Sequence, residues 1–179
     1  MTTRAAYLPV GGIRIASGTA ATVLIAVLAA LTAVLLLAGR GGNGEVSQYE
    51  FTLAPVIERH NGAVADWNRF VDDHNASAVF SLGSYDAQAV EANAQVNVIA
   101  AEMEVTTAQW AGVVPPLSRA EPHALVLEAM QLTLEGVKGV AAYFDAAATG
   151  QGDYSQAVLS LAMIDEASVY WAQAKSFEG

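Results

Sequence analysis

The chain has 179 residues, with 18 Asp and Glu against eight Lys and Arg, a formal net charge of −10 and no cysteine. The missing thiol excludes disulfides, thiolate metal sites, covalently attached haem and a lipidated-cysteine anchor. Every acidic residue lies from Glu45 onward, where only Arg59, Arg69, Arg119, Lys138 and Lys175 oppose them; five cations against 18 acids leave −13, which disfavours nucleic acid and anionic headgroups as partners.

Residues 1–14 read as a short cytoplasmic tail carrying Arg4 and Arg14. Residues 15–39 contain no charged residue, and about 20 apolar residues suffice to cross a hydrocarbon core of roughly 30 Å. Lipid offers the backbone no hydrogen-bond partner, so such a run is expected to be a helix. It exceeds the roughly 7–15 apolar residues of a cleaved leader, and Leu36-Leu37-Ala38-Gly39-Arg40 offers no small-x-small cleavage site. An uncleaved single-pass anchor is therefore expected. The basic flank places the N-terminus in the cytoplasm and the C-terminal part outside it. Gly18, Thr22, Ala26 and Ala30 recur every four positions in this run, a row suited to close helix contact in lipid.

Residues 40–45 form a glycine-rich linker, and residues 46–179 suit one extracytoplasmic domain. The fold expected for it is all-α, an antiparallel up-down four-helix bundle. The first helix spans about 46–75, with Val46, Tyr49, Leu53, Val56, His60, Ala63, Trp67, Phe70 and His74 on one stripe. Pro55 within it predicts a kink, or a start near Ala54. The second spans about 84–113 and carries two apolar stripes. One is Val90, Ala94, Val98, Ala101, Val105 and Ala108; the other is Val96, Ile99, Met103 and Trp110. Pro115 and Pro116 end it. Ser118 and Glu121 read as a capping box opening the third helix, whose stripe runs from His123 through Leu127, Met130, Leu134, Val137 and Ala141 to Phe144. Gly150 closes it, and Asp153 caps a fourth helix reaching about Phe177.

The residues with chemical potential are few. His60, His74, His123, Trp67, Trp110 and Trp171 all fall at apolar-stripe positions, and these six are the candidate ligand or partner contacts. Bundle di-metal sites place Glu three residues before His on two helices; here Ile57, Val71 and Ala120 occupy those positions. His60 and His74 are separated by about 21 Å along one helix, too far to share an ion. The segment around His60 (Glu58-Arg59-His60-Asn61) is echoed around His74 (Asp72-Asp73-His74-Asn75). Asp72, Asp73 and His74 sit at a helix end, where charged side chains are normally solvated. No nucleophile, base and orienter can be named together. Neither a catalytic set, a metal site nor a cofactor is expected.

Pro115-Pro116, the capped helix with its early His123, and the Gly152-Asp153 turn together resemble uncharacterised secreted or membrane-tethered bacterial helical-bundle proteins. The resemblance runs from Trp110 to Trp171. It implies an extracytoplasmic bundle and carries no activity or functional residue. The function expected is a membrane-anchored module, non-enzymatic, binding an envelope or membrane protein or a second copy of itself. The alternative is a sensor-type bundle holding a ligand or cofactor in a small pocket near His123 and the tryptophans.

Overall fold

A computed structural model of the chain describes residues 44–76 and 87–178. The expected tail and membrane run, residues 1–39, and Arg40 lie outside the described residues. None of the described helices is long and apolar enough to cross a membrane.

The described residues are helical: α1 (Gly44–Ala76), α2 (Ala87–Ala111), a 3-10 turn (Leu117–Arg119), α3 (Ala120–Ala148), α4 (Tyr154–Lys175) and a final 3-10 turn (Ser176–Glu178). Successive helices pack on one another. Side-chain pairs give their directions. Asn93 of α2 reaches Asp145 and Glu104 reaches Lys138, so α3 runs against α2. Gly136 lies over Ile164 and Gly139 over Ser160, so α4 runs against α3. His60 of α1 meets Trp171 of α4, closing the ring of four.

Local chemistry accounts for most of the boundaries. The helix α1 begins at Gly44, inside the expected linker, and passes through Pro55 without interruption. Pro55 sits on the exposed face, where water can take the carbonyl that the missing N–H leaves free. The expected capping box at Ser118 is not how α3 begins. A 3-10 turn from Leu117 puts Arg119 at the N-cap, where its guanidinium, which has no acceptor, makes no capping bond and pairs with Glu50 instead. Pro122 falls in the first turn, where helical amides are unpaired in any case. Gly150, at φ 75°, closes α3 with its amide on the Ala147 carbonyl, and the Asp153 side chain accepts from the Ser155 amide to open α4.

The α1 stripe is buried as expected from Leu53 through Phe70. The two stripes of α2 separate. Val96, Ile99, Met103 and Trp110 are buried, whereas Val90, Ala94, Val98, Ala101, Val105 and Ala108 all face outward. A helix in a ring of four has one inward arc, and the bulkier set occupies it.

The core divides into two apolar clusters. One joins Trp67, Phe70, Val96, Met103, Val140 and Phe144; the other joins Leu53, Ile57, Trp110, Met130, Ala167 and Trp171. Between them lies a polar waist of His60, Thr106, Thr107 and Thr133, all buried.

Candidate functional site

The six aromatic and histidine candidates do not converge on one site. They sort into three levels of the bundle, each with one histidine.

At the end where α1 begins, the Tyr49 hydroxyl and His123 Nδ1 share a hydrogen bond of 2.8 Å. The Trp110 indole stacks on the His123 ring at 5.1 Å and donates from Nε1 to the His123 carbonyl oxygen at 3.1 Å. Beside them Arg119 donates to Glu50 at 3.2 Å, a half-buried ion pair linking the 3-10 turn to α1. Burial pushes the Tyr49 hydroxyl up to about 12, with smaller opposing effects of Arg119 and Glu50. Burial also holds His123 below the usual imidazole range. Both groups are thus kept neutral near pH 7. That suits a hydrogen-bonded strut rather than an acid–base couple poised for proton transfer.

At the waist, His60 is 2% exposed and its Nδ1 lies 3.0 Å from Thr106 Oγ1. The Thr106 hydroxyl donates to the Met103 carbonyl, so its oxygen accepts from His60 Nδ1–H. The lone pair of Nε2 is then buried beside Trp171 with no hydrogen-bond partner, as is Asn61 Oδ1. Desolvation lowers His60 to about 4. An imidazole so placed stays neutral at physiological pH.

At the far end, His74 Nδ1 bonds the Phe70 carbonyl at 2.8 Å, and its ring packs on Phe70 at 3.9 Å. Phe70 in turn stacks on Trp67 and meets Phe144 edge-on. His123 therefore has Trp110, His60 has Trp171, and His74 reaches Trp67 through Phe70. Among the described residues no three His, Asp or Glu side chains are grouped to hold a metal ion.

The outward stripe of α2 is the remaining feature. Val90, Val98 and Val105 are 57%, 67% and 40% exposed, and Ala94, Ala101 and Ala108 lie between them. At 100° per residue the six positions fall within an arc of about 80°. Glu102 borders the arc on one side and Glu104 on the other. Each is neutralised by a cation from a flanking helix: Glu102 by Arg59 of α1 at 2.6 Å, Glu104 by Lys138 of α3 at 3.0 Å. Exposed pairs of this kind add little to stability. Their effect is to cancel charge beside an apolar strip on an otherwise acidic surface. The spacing marks both stripes of this helix without saying which is covered; the signal that separates the outer one is its composition of Val and Ala alone beside an inner stripe holding Ile, Met and Trp.

No family model matches the chain, nor does any curated protein or solved structure.

Proposed function

We propose that this protein is a membrane-anchored, extracytoplasmic helical module that binds another membrane or envelope protein through the outer face of α2. The observation that carries the reading is that face: six apolar residues on one arc, exposed, with two of the bordering glutamates, Glu102 and Glu104, paired to cations of the flanking helices. Small side chains with a recurring alanine allow a partner helix to approach closely. Solvent-exposed apolar strips rimmed by polar residues commonly mark protein contacts. The uncharged residues 15–39 serve as the anchor, with Arg4 and Arg14 on the cytoplasmic side. The module binds and does not catalyse. The ligand-sensor alternative draws less support, because the Tyr49 hydroxyl, the Trp110 indole N–H and His123 Nδ1 already have partners within the bundle.

The test is photocrosslinking of the full-length chain in its native membrane, with a benzophenone side chain placed at Val98 and, as control, at the exposed Leu159 of α4. A discrete adduct with another membrane or envelope protein from Val98 alone, lost in the Ala101→Glu background, is the expected result. An adduct of two copies of this chain would replace the heterologous partner with self-association. Equal, diffuse labelling from both positions would refute the α2 face as a binding surface.

A further inference from the structure

The bundle end from which α1 starts carries a second exposed apolar feature, distinct from the α2 face. The connection between α2 and α3, residues 112–118, reads Gly-Val-Val-Pro-Pro-Leu-Ser and contains no charge. Val114 is 88% exposed and Leu117 97%. Two hydrogen-bonded contacts fix this connection beside the opening turns of α1: Tyr49 with His123, and Glu50 with Arg119. Phe51, 83% exposed, belongs to the same stretch of α1. Half-exposed Phe177 follows the C-terminus of α4, whose Ala174 packs in one cluster with Leu53 and Trp110. Large apolar side chains from three separate segments thus meet solvent at one end.

Prolines and local bonds remove part of the connection's free backbone donors, leaving the amides of Val114, Leu117 and Ser118 unpaired. Pro115 and Pro116 have no N–H, while the amides of Gly112, Val113 and Arg119 are bonded to the carbonyls of Ala108, Trp110 and Pro116. The charge nearest the tip, Arg119, is drawn back onto Glu50. An uncharged segment of this kind can enter the headgroup layer, where water and lipid oxygens still serve the unpaired amides, at less cost than a charged one.

Chain length decides what covers this end. Only residues 40–43 separate the apolar run 15–39 from Gly44, and five residue steps reach at most about 17 Å. Resting on the membrane-anchored reading above, we infer that residues 112–118 seat in the interface of the bilayer that holds the anchor, with Val114 and Leu117 inserted among the headgroups and upper acyl chains. The bundle then stands end-on, and the α2 face looks sideways along the membrane. The surrounding acidic surface favours a zwitterionic lipid over an anionic one.

The absence of native cysteine permits a direct test. Val114→Cys, Leu117→Cys, Thr149→Cys and Ala26→Cys are made singly in the full-length chain, labelled with a nitroxide and placed in phosphatidylcholine nanodiscs. Collision with oxygen and with a water-soluble nickel chelate then reports depth. The labels at 114 and 117 should be severalfold less accessible to nickel than the label at exposed Thr149 and more accessible to oxygen. Introducing Leu117→Glu should return the 114 label to water. Nickel accessibility at 114 and 117 equal to that at 149, with the Ala26 label shielded, would overturn the seating and leave the anchor standing. An Ala26 label open to nickel would overturn both. Dipolar broadening between 117 labels would assign the tip to a second copy instead of lipid.

Discussion

Acidification should unlock the bundle at its waist, and His60 is the group responsible. In the folded chain desolvation holds this imidazole at about 4, whereas an unfolded chain titrates it at its ordinary value near 6.5. The unfolded state therefore binds the proton first as pH falls. Stability from this site is complete above about pH 6.5 and declines until the folded-state value near 4 is reached. A difference of 2.5 pH units at 1.36 kcal/mol each amounts to about 3 kcal/mol, a sizeable share of the 5–15 kcal/mol that holds a typical domain together. His60→Leu removes the titration at similar volume. It also removes the unpartnered Nε2, while Thr106 keeps its bond to Met103. The variant should be no less stable than the parent at pH 7 and should lose less stability on acidification. The assay is urea unfolding of both full-length proteins in mild detergent, followed by tryptophan fluorescence at intervals from pH 7.5 to pH 4. Contributions of the carboxylates and His123 are common to both and cancel in the difference. Parallel profiles would refute the assignment of a buried neutral imidazole at the waist.

Three further outcomes are expected. In Gly136→Ala the new Cβ would stand 2.5 Å from Ile164 Cγ1 and 2.6 Å from the Ser160 carbonyl oxygen, so α3 and α4 must move apart, at a cost of about 2 kcal/mol in thermal or chemical unfolding. Asp153→Ala removes the cap on the Ser155 amide and should lower the unfolding midpoint, with the loss recovered in large part by Asp153→Ser. Tyr49→Phe breaks the bond to His123 Nδ1 and should cost about 1 kcal/mol by the same measurement; amide exchange should rise mainly at the starts of α1 and α3.

Where the sequence could be read and where it could not follows from the range of the forces involved. Helix existence is local. The three- and four-residue spacing from Leu53 to Phe70, the glycine at 150 and the Asp153 cap each state their role within one or two turns, and the helices follow them. The capping box at Ser118 does not form because a 3-10 turn after the proline pair takes in Ser118 and moves the N-cap to Arg119. The identity of the exposed stripe on α2 is not local at all. Both stripes satisfy helical periodicity, and only the placement of α1 and α3 around α2 decides which is covered. Likewise, the histidines were each legible as stripe residues. Their separation into three levels depends on register between helices, as does the pairing of His60 with Thr106 across 46 positions of sequence.

The length of α2 has a consequence for what can bind it. From Val90 to Ala108 the exposed strip rises about 27 Å along the helix axis, and its Ala108 end lies toward Trp110 and the start of α1. In the proposed arrangement, with the bundle standing over its anchor, the strip would begin near the headgroups and extend nearly the thickness of a hydrocarbon core, about 30 Å, into the aqueous space. A partner confined to the lipid phase would touch only its foot. Under the proposed anchoring and α2 contact, full engagement would require a neighbour that itself climbs out of the membrane by several helical turns, which would make the bundle a gauge of its partner's height.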